Sequence, residues 1–174
     1  QKLAKFMPNN KIKLHHVHFA KIHDAIMQFI PDPYIITIMR RMMYRIGEEF
    51  AKKNNLLVLI NGESVGQVAS QTLESMSVVE EVTRIPIIRP VATYDKADII
   101  KIAKQIDTYN TSILPFEDCC TVYVPRRPVT KPKSHICEEY EQNYDFAPLI
   151  NEALSSISTI VVDANKDIKL ANYG

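Results

Sequence analysis

Several groups of residues in this sequence carry side chains suited to chemistry. The first is Asn61-Gly62-Glu63-Ser64, which breaks the short apolar run Leu56 to Ile60. A glycine at such a break lets the backbone approach a ligand closely, and a helix starting just beyond it would offer unpaired N–H groups and the positive end of its dipole. Ser64 and Gln67 have capping-box spacing, which predicts a helix over about 65–76 with Gln71 on roughly the face of Ser64. An ordinary capped strand-to-helix turn has the same appearance. The second group is Arg40, Arg41 and Arg45, whose guanidinium forks suit phosphate or carboxylate. A solvated helix face with ion pairs to Glu48 and Glu49 is the simpler alternative. The third is Glu117-Asp118-Cys119-Cys120. A thiolate on a loop acts as a nucleophile or carries sulfur, helped here by Arg126 and Arg127 and opposed by Glu117 and Asp118. The fourth is the stretch from Pro125 to Lys133, four cations on a proline-stiffened loop, which offers contacts to RNA phosphates or forms a plain solvated loop. The histidines His15, His16, His18 and His23 are read as structural or surface residues, with His16 and His18 on one face of a strand.

The elements that must position these groups follow from periodicity. Ile12 to Phe19 alternates loosely, as a strand does, and Ala20 to Ile30 has helical spacing. Pro31-Asp32-Pro33 punctuates the chain before the strongest helix, Tyr34 to Asn54, whose apolar stripe is Ile35, Ile38, Met39, Met42, Ile46 and Phe50. Leu56 to Ile60 and Ile85 to Ile88 have the short apolar character of buried parallel strands. Asp95 to Ile106 reads as a helix with Ile99, Ile102, Ala103 and Ile106 facing a core. The stretch from Thr108 to Lys133 has no period, and runs of that kind inside a compact domain are uncommon and often functional. Short helices are expected near Ser134 to Gln142 and Phe146 to Ser158, with Ile160 to Val162 as an edge strand. Gln1 to Phe6 resembles the last turns of an amphipathic helix with Leu3 and Phe6 on one face. Strands alternating with helices predict a three-layer α/β fold, a Rossmann-like parallel sheet with ligands beyond the carboxyl ends of its strands.

Composition sets limits. The chain has 174 residues, 46% apolar and 24% charged, with 21 basic and 20 acidic residues. That near-neutral balance excludes a globally basic nucleic-acid binder and leaves local patches for the task. Glycine occurs four times, at positions 47, 62, 66 and 174, so no glycine-rich phosphate loop is present in these residues. Three cysteines, two of them adjacent, argue against a disulfide scaffold and for a reducing, cytoplasmic setting. No apolar run is long enough to cross a membrane as a helix.

The run from Gly62 to Leu73, GESVGQVASQTL, resembles the signature of the tRNA 4-thiouridine synthetases, also called tRNA uracil 4-sulfurtransferases. Three further segments resemble that family in the same order. They are Thr37 to Met43, then Ile88-Arg89-Pro90 with Tyr94-Asp95-Lys96, then Asp118-Cys119-Cys120 with Pro128 to Pro132. The resemblance covers roughly residues 1 to 160. It implies a PP-loop, adenine nucleotide α-hydrolase-like catalytic domain that transfers sulfur to uridine 8 of tRNA and serves thiamine thiazole synthesis. It implies Mg-ATP as cosubstrate: ATP adenylates the uracil O4, and a cysteine persulfide loaded by a cysteine desulfurase attacks C4 as AMP leaves. Carried onto matching positions, the ATP contacts fall on Arg40, Gly62 and Gln71, and the persulfide falls on Cys120 or Cys119, with Cys120 preferred. Cys137 is a weak candidate for a partner thiol, and no metal ligand is assigned. The family's PP-loop, THUMP and ferredoxin-like domains are expected before Gln1. Residues 1–174 are therefore expected to be a partial catalytic domain, truncated at its N-terminal side and inactive alone. Two other readings stand beside this one. One is a non-catalytic fragment that binds or homodimerises. The other is a zinc or redox module built on Cys119, Cys120, Cys137 and His135, though these lack paired ligand spacing.

Overall fold

The computed structural model describes residues 1–68, 70–115 and 128–166 of the chain. The chain divides into two compact units, one formed by residues 1–17, 96–116 and 157–174, the other by 18–95 and 117–156.

In the first unit, strand β1 (Lys11–His16) pairs with the last strand, β4 (Ser158–Asp163), antiparallel, with Lys11 opposite Asp163 and His16 opposite Ser158. The expectation of one parallel sheet fails for these two strands. Along both, exposed residues mix with half-buried ones, which suits a ribbon with one wet face and not a doubly covered parallel strand. His15 Nδ1 lies 2.7 Å from Thr159 Oγ1 across the ribbon. Lys2–Phe6 forms a 3-10 helix that buries Ala4 and leaves Leu3 and Phe6 exposed, so the expected amphipathic helix end is absent. Helix α4 (Lys96–Gln105) lies within the predicted span, but none of its residues is fully buried. A short helix, α5 (Tyr109–Ser112), follows it.

The second unit carries the main core. Helices α1 (Ala20–Phe29) and α2 (Ile35–Lys53) follow the predicted periodicity, with Ile22, Ile26, Ile38 and Met42 at 1% exposure or less. Burying each such aliphatic side chain contributes about 1.5–3 kcal/mol. Helix α2 ends at Asn54 and Asn55. Asn55 takes the left-handed conformation at φ 55°, which asparagine tolerates, and the Leu56 N–H closes on the Ala51 carbonyl at 2.8 Å. Around α2 pack α1, α3 (Leu73–Glu80), α6 (Ser134–Glu141) and α7 (Ala147–Ser155). Rings fix the α6–α7 corner: Phe29 stacks on Tyr144 at 4.8 Å between centroids, and Tyr34 meets Tyr140 edge-on at 5.1 Å.

Strands β2 (Leu59–Ile60) and β3 (Ile87–Ile88) pair in parallel and are joined through α3, the βαβ unit of a Rossmann-like α/β fold. Both are shorter than the predicted runs. Gly47 brings α2 against one face of β2, where an added Cβ would sit 3.3 Å from Leu59 Cδ1. Ile60 is 65% exposed, and Leu57, before the strand, is 85% exposed. Ile60 and Ile88 on the other face are exposed, so the apolar runs are not doubly buried as their composition suggests.

Candidate nucleotide-binding site

The segment after β2 does not enter a helix at Val65. The Ser64 hydroxyl donates to the Tyr94 carbonyl at 2.7 Å, so it caps nothing, and the Val65 N–H bonds the Ala92 carbonyl at 2.9 Å. Gly66, at φ +79°, turns the chain so that its N–H reaches the Gln71 carbonyl at 2.9 Å. A side chain at that angle is strained, which accounts for the glycine. Helix α3 starts at Leu73, with Thr72 Oγ1 accepting from the Ser75 N–H at 3.1 Å. The real cap is thus Thr72, eight residues beyond Ser64. Gln71 sits at the end of the loop and not on a helix face, so the expected helix N-terminus beside Gly62 is corrected.

The loop nonetheless brings Arg40, Gly62 and Gln71 together. Arg40, from α2, pairs with the Glu63 carboxylate and donates through Nη1 to the Ser70 carbonyl. Glu63 is the neighbour of Gly62, and Ser70 the neighbour of Gln71. Gly62 is exposed, and an added Cβ there meets nothing within 4 Å. Neither packing nor a left-handed φ demands glycine at that position. Gln71 Oε1 is buried and meets no hydrogen-bond donor among the described residues. A buried acceptor left unmatched costs about 1–3 kcal/mol unless something else satisfies it.

Sequence reasoning missed the centre of this arrangement. Glu63 accepts from Arg89 Nε at 2.8 Å, from Asn61 Nδ2 at 2.9 Å and, more weakly, from the Tyr44 hydroxyl at 3.4 Å. Arg89 Nη1 reaches Glu80 Oε2 at 2.8 Å. Arg89 follows β3 as Asn61 follows β2, so the Glu63–Arg89 pair ties the carboxyl ends of both parallel strands, where α/β sheets bind ligands.

Arg41 and Arg45 meet a carboxylate, as their forks suit, but it is that of Glu141 and not of Glu48 or Glu49. Arg41 Nε and Nη2 donate to Glu141 at 2.6 and 3.2 Å, and Arg45 Nη1 and Nη2 donate to the same carboxylate at 2.9 and 2.8 Å. Arg41 Nη1 also donates to the Val78 carbonyl at 2.7 Å. Burial alone would push the Glu141 carboxyl up. The bonds from Arg45 and Arg41 outweigh it and hold the carboxyl below the usual carboxylate range. These arginines join α2 to α6 and are not offered to a phosphate. Glu48, too, faces inward: its Oε1 accepts from the Arg84 N–H at 3.2 Å and lies 3.3 Å from Lys52 Nζ.

Cys119, Cys120, Arg126 and Arg127 lie outside the described residues. Residues 129–131 lie against the start of α3 and the segment before α2. The Val129 N–H bonds the Pro33 carbonyl at 3.0 Å, Thr72 Oγ1 donates to the Thr130 carbonyl, and Lys131 pairs with Glu74 at 3.3 Å. That part of the basic stretch is tied at these points, while Lys131, 77% exposed, and Lys133 stay in solvent. Cys137, on α6, is fully buried, and burial pushes its thiol up to about 11. Such a thiol is neither nucleophile nor ready ligand at neutral pH. His135 on the same helix is exposed, so the two do not converge. No group of three or more His, Cys, Asp or Glu residues among the described residues could hold a metal ion. No described helix is long and apolar enough to cross a membrane.

A βαβ unit with an open glycine and an arginine at its strand ends defines an α/β domain with a candidate nucleotide site. The chain belongs to the family described as thiamine biosynthesis protein (ThiI), which it matches over residues 1–146. A protein of Acholeplasma laidlawii named "Probable tRNA sulfurtransferase" is 57% identical over 174 residues, which is 100% of this chain and 42% of that protein. A protein of the same name from Listeria welshimeri is 50% identical over 169 residues, covering 97% of this chain and 41% of its own length. The chain therefore spans about two fifths of the curated relatives it matches. Among solved structures, a 4-thiouridine synthetase–RNA complex with bound ATP superposes with a TM-score of 0.82 at 37% identity, over 88% of this chain and 40% of that one. That likeness establishes the Rossmann-like α/β fold.

Proposed function

We propose that these residues form part of the catalytic domain of a tRNA sulfurtransferase that uses ATP to make 4-thiouridine at position 8 of tRNA and also supplies sulfur for thiamine synthesis. The observation that carries the reading is the convergence of three elements. Arg40 bonds the neighbours of both Gly62 and Gln71, Gly62 leaves open approach, and Gln71 keeps a buried acceptor unmatched. These features fit a nucleotide: a cation for phosphate, a bare backbone for close contact and an acceptor for a ribose hydroxyl or a base amine. The solved relative with bound ATP and RNA supports the same choice of ligands.

In this reading ATP transfers AMP to the uracil O4, releasing pyrophosphate and turning a poor leaving group into a good one. The terminal persulfide sulfur of Cys120 or Cys119 then forms the bond to C4 as the C4–O bond breaks and AMP departs. A thiol reductant next attacks the cysteine sulfur, forming a disulfide with it as the S–S bond to the transferred sulfur breaks and 4-thiouridine is freed. A cysteine desulfurase supplies that persulfide. Arg40 holds phosphate charge, Gly62 admits the nucleotide and Gln71 orients it. Residues 1–174 contain no glycine-rich phosphate loop, so on their own they release no AMP from ATP and tRNA. In the intact protein, separate Cys119→Ser and Cys120→Ser changes test the sulfur step by 4-thiouridine formation. At least one is expected to abolish it; full activity in both refutes the role of this loop.

A further inference from the structure

Arg40 is held by Glu63, and Glu63 is itself held. Glu63 exposes 11% of its side chain, Arg40 13% and Arg89 14%, so the three charges share one largely water-free patch. Glu63 spends one carboxylate oxygen on Arg40 and the other on Arg89 and Asn61. Arg89 is in turn anchored by Glu80. Asn61 is fixed from two sides: its Oδ1 accepts from the Glu63 N–H at 3.0 Å and its Nδ2 donates to the Tyr44 hydroxyl. Tyr44 stands one helical turn beyond Arg40 on α2. The chain of contacts thus runs from the end of β3 through Arg89 and Glu63 to Arg40, which continues to the Ser70 carbonyl.

We propose that Glu63 is the positioning residue of the nucleotide site, holding the Arg40 guanidinium in the geometry that meets phosphate, with Arg89 as the outer lock on Glu63. The inference rests on Arg40 being an ATP contact. Its sign makes it testable. A carboxylate beside a polyanion repels it, so if Glu63 did nothing but add charge, Glu63→Gln would tighten ATP binding. If Glu63 orients Arg40, the same change weakens binding, because a neutral amide cannot hold the guanidinium by a charge-assisted pair.

The decisive experiment is a double-mutant cycle in the intact protein, with ATP affinity from equilibrium dialysis and KM and kcat from 4-thiouridine formation. The four proteins are wild type, Arg40→Ala, Glu63→Gln and the double variant. Glu63→Gln is expected to raise KM for ATP roughly tenfold while kcat at saturating ATP stays within about twofold, and to add nothing in the Arg40→Ala background. Equal or tighter ATP binding in Glu63→Gln, or the same loss in both backgrounds, overturns the inference. If Arg40→Ala weakens ATP and Glu63→Gln does not, the positioning role alone fails. If Arg40→Ala binds ATP as wild type does, the ATP reading of Arg40 fails and takes this inference with it. Should Glu63→Gln lower the thermal midpoint enough to cloud the comparison, Arg89→Lys enters the same cycle with the same expectation, since a lysine keeps the charge but cannot bridge Glu63 and Glu80 at once.

Discussion

Replacing Glu141 by glutamine removes one charge from a buried cluster of three, and the structure fixes what that costs. Arg41 exposes 3% of its side chain and Glu141 11%, while Arg45 at 32% is partly wet. Removing one partner of a buried pair typically costs about 3–5 kcal/mol, because the other charge is left without compensation. Arg45 can rehydrate, and Arg41 keeps its bond to the Val78 carbonyl and a longer approach to Glu81 at 3.8 Å. The lower end applies, about 3 kcal/mol at pH 7. The pH dependence follows from the direction of the shift. The Glu141 carboxyl is depressed in the fold, whereas an unfolded glutamate titrates near about 4.3. Stability from such a group is complete above the unfolded value and is lost as pH falls through the folded one. Glu48 and Glu74 are also depressed, but both proteins share them, so they cancel in the difference. Urea unfolding of wild type and Glu141→Gln, followed by circular dichroism, should show a gap of about 3 kcal/mol at pH 7 that narrows below about pH 4. A gap under about 1 kcal/mol at pH 7, or one that does not narrow in acid, refutes the reasoning, since exposed pairs reach only that size.

Two further outcomes follow from local geometry. Cys137 should resist iodoacetamide in the native protein and react after unfolding, as a buried thiol pushed to about 11 requires; rapid native labelling at that residue, located by peptide mapping, contradicts its placement. Thr72→Ala should lower stability by about 1 kcal/mol through loss of the α3 cap. A loss under about 0.3 kcal/mol in chemical denaturation would mean that Thr72 is not the cap.

The helical elements were legible because they rest on local periodicity. The stripe from Ile35 to Ile46 gives α2 and most of its buried face, and α1 follows the same rule. The start of α3 was not legible, because Ser64 with Gln67 has capping-box spacing whereas Thr72, followed three residues on by Ser75, does not. Ser64 is drawn off by the Tyr94 carbonyl, 30 positions away, and no local pattern records that. Arg41 and Arg45 fall three and seven residues after Ile38, inside the apolar face. Charges at such positions call for a buried counter-charge, a signal that was available, but the partner lies about 100 positions along the chain. The β1–β4 pairing is equally distant in sequence. Arg40, Gly62 and Gln71 were raised by spacing and given their ATP role by a resemblance, and Arg40 contacts the residues next to the other two. Glu63 sits inside the same run of residues, yet its role depends on Arg89, and only the parallel pairing of β2 and β3 sets the two side by side.

Gly62 offers the most direct test of the nucleotide site, because the fold itself makes no demand for glycine there. The measurement is ATP affinity of the intact protein carrying Gly62→Val, read beside its thermal midpoint without ATP. An unchanged midpoint is expected, with ATP binding weakened by more than about tenfold as a side chain enters the space where the nucleotide meets the backbone. Wild-type affinity in a folded Gly62→Val protein would contradict the nucleotide reading of this site.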